Sequence, residues 1–122
     1  MIWRVCTPIL IALTFLLAAC TSHQSRYVPL AETYDALPSD FDVEVYRYEL
    51  PERPFKKVAR LDVHIEKTHF LSTDFEDAVP ELMEQARLSG SHAIIEIEEQ
   101  KSSLLETKIY HVSATGIRFI NQ

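Results

Sequence analysis

The chain opens with an apolar segment that changes abruptly to polar residues after Cys20. Residues 5–17 are mostly apolar, and Arg4 supplies a positive charge ahead of them. A membrane-spanning helix needs roughly 20 apolar residues, whereas a secretory signal peptide has a shorter apolar region that ends in small residues. The pattern therefore predicts an export signal over residues 1–19.

The segment that follows, residues 20–40, shows no sustained hydrophobic period. Pro29 and Pro38 interrupt it. We predict that this segment is a tether ahead of a folded domain, with a root-mean-square span of roughly 25 Å for a flexible coil. Tyr27 and Leu30 make it less polar than a simple linker, so the docking of part of the tether on the domain remains open.

Residues 41–122 show the pattern of one small α+β domain. Alternating polar and apolar residues predict strands, and an apolar stripe with helical spacing predicts one helix. The predicted elements are strands at 42–48 and 58–67, a helix at 74–89, and strands at 93–97 and 108–120, with a polar hairpin loop over 99–107. The order β-β-α-β-β predicts two layers, a mostly antiparallel sheet of about four strands packed on the helix.

Three residues in this domain have special backbone preferences. Pro80 suits the first turn of a helix and disrupts an interior, so either the regular helix begins near Val79 or a preceding turn joins it with a kink. Gly90 stands where a left-handed helix cap is expected. Gly116 stands where the apolar residues change phase along the last strand, which predicts a β-bulge.

Charge and cysteine content narrow the function further. The 122 residues carry a net charge of -6, and removing Arg4 with the signal brings the mature part to -7 (-6 - 1). An acidic domain does not attract nucleic acid by net charge. The two cysteines are Cys6 and Cys20. Cys6 lies in the predicted signal.

The residues before the polar switch, Leu17-Ala18-Ala19-Cys20, resemble the lipobox of bacterial lipoproteins. The resemblance implies that the Cys20 thiol receives a diacylglycerol and that the signal is cleaved between Ala19 and Cys20. Thr21 stands where an inner-membrane retention signal would usually have Asp, which favours the outer membrane. We expect the domain on its periplasmic face rather than on the cell surface. The resemblance therefore implies a lipid anchor in the cell envelope. With Cys6 in the signal and Cys20 used for lipid, it also implies that the mature chain has no thiol for a disulfide, thiolate catalysis or a cysteine metal site.

A second resemblance covers the C-terminal half. Residues 82–95, Leu-x-x-x-Ala-x-x-x-Gly-Ser-His-Ala-Ile-Ile, and residues 114–119, Ala-Thr-Gly-Ile-Arg-Phe, are similar to segments of small envelope α/β domains of the YbjQ-like and RcsF-like kind. The resemblance implies the same fold and compartment. This sequence departs from them in having His92 where Asp or Asn is usual, and in lacking the disulfides of the stress-sensor lipoprotein.

Histidines are the candidate metal ligands. His64, His92 and His111 are assigned to strands, and imidazoles that converge with a carboxylate could bind zinc. The alternative is that they are ordinary surface histidines. We predict no cofactor.

Other chemistry has weaker support. No Gly-x-Ser-x-Gly motif of a hydrolase is present. A group of aromatic residues could line a ligand cleft or fill the core; its members are Tyr46, Tyr48, Phe55, Phe70 and Phe75.

These observations predict a non-enzymatic, lipid-anchored envelope protein that tethers one small domain at the membrane surface and binds an envelope protein partner. The predicted partner surface is the open edge of the sheet or the 46–55 region. The alternatives are an envelope-stress sensor or regulatory lipoprotein, a domain that binds a metal or small ligand, and an enzyme with a nucleophile near a base in a cleft.

Overall fold

The computed structural model describes residues 21–68 and 73–120, which form one helix packed on a five-stranded sheet. The elements are β1 (Ser22–Pro29), β2 (Glu44–Val45), β3 (Phe55–Thr68), α1 (Phe75–Ser89), β4 (Ala93–Leu104) and β5 (Thr107–Phe119). The strand order is β1-β3-β5-β4-β2. Only β2 pairs in parallel, with β4, and the other pairs are antiparallel. The predicted α+β class is confirmed, with one more strand than expected and a mixed sheet.

The extra strand is β1, which lies inside the segment predicted to be a tether. It pairs with β3 from Ser22 to Pro29. The helix also holds it, because Gln85 Nε2 donates to Ser25 Oγ at 3.0 Å and Tyr27 packs against the main core. The prediction of a coil is therefore wrong for residues 22–29. An edge strand needs only a few half-buried positions, so it leaves a weak hydrophobic period in the sequence.

The strand predicted at 42–48 is reduced to β2, Glu44–Val45. Tyr46 N still donates to the Ile94 carbonyl at 2.9 Å, but the chain then leaves the edge of the sheet. Tyr46 and Phe55 pack against the face of the sheet opposite the helix, and Pro51 between them is buried. The segment between β2 and β3 therefore covers part of that face.

The polar loop predicted over 99–107 is instead the continuation of β4 and β5, which pair as far as Leu104 and Thr107. The turn consists of residues 105–106 only. The seven residues from Glu98 to Leu104 are partly or fully exposed, so both faces of this ribbon meet solvent. Because both faces carry polar residues, this part of the sequence lacks the alternation of apolar and polar residues from which a strand is predicted.

The main core lies between α1 and the sheet. Leu61, Val63 and Ile65 of β3 are fully buried, as their alternation predicts. They pack with apolar residues of the helix and of the neighbouring strands, among them Phe75, Ala78, Leu82, Ala86, Ile94, Tyr110 and Val112. The burial of this set joins helix and sheet into the two predicted layers.

The helix ends follow the sequence signals. The backbone N–H of Asp74 donates to Asp77 Oδ2 at 2.9 Å, and this hydrogen bond lowers the pKa of the Asp77 carboxyl. Pro80 lies inside the helix, which begins at Phe75 and not near Val79. Gly90, at φ 77°, is the predicted left-handed cap.

The apolar phase change near Gly116 has another cause than a bulge in β5. Ile117 lies on the face opposite the helix, where it forms a second buried cluster with Ala93 and Ile95. The register shifts occur in the neighbouring strands, between Lys57 and Ala59 of β3 and between Ile95 and Glu98 of β4. The predicted bulge at Gly116 is therefore wrong: the apolar residues change face because both faces are covered at this end of the sheet.

Candidate functional site

The middle of the sheet presents a row of polar side chains on the face away from the helix. Because Leu61, Val63 and Ile65 point into the core, their neighbours Asp62, His64 and Glu66 point the other way. The strand register then places one residue from each of four strands side by side; in spatial order they are Gln24, His64, His111 and Gln100. The register therefore brings two of the three predicted metal-ligand candidates together.

The two histidines of this row each meet a carboxylate. Their ring centroids are 6.1 Å apart, with a 52° angle between the planes. His64 Nε2 lies 2.9 Å from Glu66 Oε1, and His111 Nε2 lies 3.4 Å from Asp62 Oδ1. Arg26 Nε of β1 lies 3.8 Å from the other oxygen of Asp62. Basic side chains and carboxylates are thus neighbours across β1, β3 and β5. This arrangement is suited to binding a polar ligand or the polar side chains of a partner.

The row borders a shallow cavity of about 430 Å³, lined by Gln24, Ser25, Arg26, Asp62, His64 and His111. The carboxylate of Asp62 is 13% exposed, whereas both imidazoles are 35% exposed. Within residues 21–68 and 73–120, no three His, Cys, Asp or Glu side chains are arranged to hold a metal ion. Because both imidazoles are partly exposed, they are accessible as hydrogen-bonding groups.

His92 lies apart from the other two histidines. It directly precedes β4 at the end of the sheet where Ala93 pairs with Ile117, six residues along β5 from His111, or about 20 Å by strand rise. Its Nδ1 accepts a hydrogen bond from the Phe119 backbone N–H at 3.0 Å. The three histidines predicted as candidate ligands therefore do not converge.

The surroundings of His92 are those of a structural residue. Its ring stacks on Phe119 with 6.0 Å between centroids, and it lies 5.8 Å from the ring of Phe41. Burial, followed by the charges of Arg118 and Arg53, lowers the pKa of the imidazole. A neutral ring that accepts at Nδ1 carries its proton on Nε2.

A partly buried polar network that the sequence did not predict joins β5, β4 and the segment after β2. The Tyr110 hydroxyl donates to Glu99 Oε1 at 2.6 Å, and Arg47 Nη2 reaches the same oxygen at 2.9 Å. Burial and the hydrogen bond to Glu99 raise the pKa of Tyr110. The guanidinium of Arg47 also lies 4.1 Å from the centre of the Phe75 ring. These residues are far apart in sequence, and no local motif marks them.

The aromatic residues proposed for a cleft or a core divide between several environments. Phe75 is buried in the main core. Tyr46 and Phe55 pack partly buried against the second cluster. Tyr48 is 87% exposed, and Phe70 lies outside the described residues. They are not brought together as the lining of one cleft.

The predicted lipidation site, Ala19 and Cys20, also lies outside the described residues, as does the signal over 1–19. The description begins at Thr21, and β1 begins one residue later. In the part of the chain that is described, no helix has the length and apolar character needed to cross a membrane.

Comparisons with known proteins give no evidence about the function of this chain. No family model matches the sequence, and no curated protein matches it. The crystal structure of a Francisella virulence factor, FvfA, is similar over 76% of this chain and 97% of that chain, with 13% sequence identity and a TM-score of 0.45. A likeness at this level carries no argument about function.

Proposed function

We propose that this chain is a non-enzymatic lipoprotein of the cell envelope, held on the membrane by acyl chains on Cys20 and acting through a protein partner. The observation that carries the proposal is the Leu17-Ala18-Ala19-Cys20 sequence at the end of a short apolar signal. Thr21 after the cysteine favours the outer membrane, and we place the domain on its periplasmic face.

Acyl-chain energetics support a stable anchor. Each buried CH₂ contributes about 0.8 kcal/mol, so one chain binds only marginally and two or more bind firmly. A diacylglycerol on Cys20 supplies two chains. Confinement to a surface raises the effective concentration of the domain toward any partner on the same membrane.

The partner is proposed to bind along β1. This strand is at one edge of the sheet, so its outer backbone groups are positioned to pair with an extended segment of another protein. Alternate side chains of β1 point to the polar face, where Gln24 and Arg26 border the cavity with His64 and His111. Backbone pairing would supply affinity and this polar row would supply selectivity.

The anchor is tested by measuring the intact mass and membrane partitioning of the protein expressed with its signal. We expect wild type to lack residues 1–19, to carry acyl chains on Cys20 and to fractionate with membranes. Cys20→Ser removes the acceptor thiol, so this variant is expected to stay unprocessed or to lose its acyl chains. Cys6→Ser is the matched control, because it removes a thiol within the signal and leaves the anchor intact. An unmodified Cys20 in wild type would overturn the proposal.

A further inference from the structure

The tip of the β4–β5 hairpin exposes two leucines at adjacent positions. Leu104 is 66% exposed and Leu105 is 93% exposed. Leu105 has φ 56°, a left-handed conformation that favours Gly, Asn or Asp in a two-residue hairpin turn. A leucine at this position is unfavourable for the left-handed backbone of the turn, and its apolar side chain is exposed to solvent. A strained residue of this kind motivates a functional explanation.

The register places this tip at the same end of the sheet as the start of β1. Ser22 pairs with Glu66, Glu66 with Ile109, and Ile109 with Ser102. Leu104 is two residues farther along β4, about 7 Å beyond that row. Cys20 is two residues before Ser22, so its Cα lies within about 7 Å of the Ser22 Cα. Three strand spacings, about 14 Å, separate β1 from β4. A membrane holding lipid on Cys20 therefore lies within reach of the leucines.

Lysines stand beside the tip. Lys67 pairs with Lys108, and Lys108 pairs with Ser103 of the hairpin. Lys101 follows two residues farther from the turn. Lys67 is only 15% exposed and its Nζ lies 3.5 Å from Asp77 Oδ2, and Glu106 adds a carboxylate within the turn. Lys101 and Lys108 therefore supply the ammonium groups near the exposed leucines, and juxtamembrane lysines are attracted to anionic headgroups.

We propose that the β4–β5 tip inserts Leu104 and Leu105 into the surface of the membrane to which Cys20 is anchored. The inference rests on the proposed function, which supplies the membrane. The occupant of the leucine tip is the interfacial region of that bilayer, and apolar side chains flanked by lysines are the composition that such regions bind. The tip and the anchor then make two contacts with one surface and set the orientation of the domain.

A single tryptophan reports insertion. The one natural tryptophan, Trp3, lies in the predicted signal, so the mature chain, residues 20–122, has none. Leu105→Trp places a probe at the tip, and Leu50→Trp is the matched control. Leu50 is 61% exposed and lies in the segment that joins β2 to β3, whose two ends, Val45 and Phe55, are at the end of the sheet away from the tip.

Both proteins are coupled through the Cys20 thiol to a maleimide phospholipid in vesicles of phosphatidylethanolamine and phosphatidylglycerol. The coupling makes the test independent of natural acylation, so a failed anchor and a failed insertion are distinguished. We expect brominated acyl chains to quench the tryptophan of Leu105→Trp several-fold more than that of Leu50→Trp. Equal and weak quenching of both would overturn the inference.

A second measurement uses loss of the leucines. Cys20 is coupled instead to a single acyl chain, whose membrane binding is marginal and therefore sensitive to added contacts. Leu104→Ser/Leu105→Asn keeps a residue that favours the left-handed turn, and is expected to lower the vesicle partition coefficient about tenfold or more. Leu50→Ser should leave it unchanged. A double variant that partitions like wild type would contradict insertion.

Discussion

Gly116→Ala provides a sharp test of the packing at the end of the sheet. A Cβ at Gly116 would overlap Ser91 Oγ and lie 2.9 Å from Ser91 Cβ. Ser91 has little room to move, because it is fully buried. Its backbone N–H donates to the Ala86 carbonyl at 2.8 Å, and its hydroxyl pairs with Ser89 Oγ at 2.8 Å.

The expected loss of stability follows from this overlap. An extra methyl group in a well-packed core typically costs 1–3 kcal/mol. Because the backbone of Ser91 is held by the helix cap, we expect the upper end of the range, about 3 kcal/mol. With an m-value of about 1.5 kcal/mol/M for a domain of this size, the urea midpoint should fall by about 2 M.

A double-mutant cycle separates this overlap from other effects. Ser91→Gly removes both the hydroxyl and the Cβ that an alanine at 116 would meet. We expect Gly116→Ala/Ser91→Gly to recover about 2 kcal/mol relative to the sum of the single losses, an interaction energy typical of residues in contact. The reasoning is refuted if Gly116→Ala leaves the midpoint unchanged, or if the two losses simply add.

Two further predictions concern titratable groups described above. Because the pKa of His92 is lowered in the folded state, the unfolded state binds more protons, so the stabilisation by His92 is present above the ordinary histidine pKa and is lost as pH falls below it. Between about pH 7.5 and 5.5, the free energy of unfolding of wild type should therefore fall more than that of His92→Gln. Parallel curves for the two proteins would contradict this. Tyr110→Phe removes the hydroxyl that donates to Glu99. Because Arg47 still pairs with that carboxylate, we expect the free energy of unfolding in urea to fall by about 1.5 kcal/mol. An unchanged urea midpoint would show that the network adds no stability.

β3 and α1 could be predicted from the sequence because each has one covered face, and the start of β4 because its continuous apolar run is buried on both faces. β3 alternates because Leu61, Val63 and Ile65 face the helix, and α1 has an apolar stripe because one of its faces packs on the sheet. β1 and the outer part of β4 escaped prediction because few of their residues are buried. The hydrophobic period records burial, so a strand held mainly by backbone hydrogen bonds leaves little trace.

The candidate site shows a similar limit. Alternation assigned His64 to the solvent side of its strand, but only the register reveals that it lies beside His111. His92 is likewise assigned to a strand, but it directly precedes β4. Its ring packs against Phe41 and Phe119 and accepts a hydrogen bond from a backbone N–H. Sequence spacing indicates which face of a strand a side chain occupies, whereas contacts between strands depend on pairing.

The position of β1 limits how far the domain could act from the lipid anchor proposed at Cys20. A flexible tether over residues 20–40 would have let the domain search a layer of roughly 25 Å beyond the lipid surface. With β1 beginning at Ser22, the link from Cys20 is at most about 7 Å. Any partner of an anchored domain must then come within about one domain diameter of the same bilayer. Such a short reach favours partners that are themselves membrane proteins or are carried to that surface, over proteins that diffuse freely away from the bilayer.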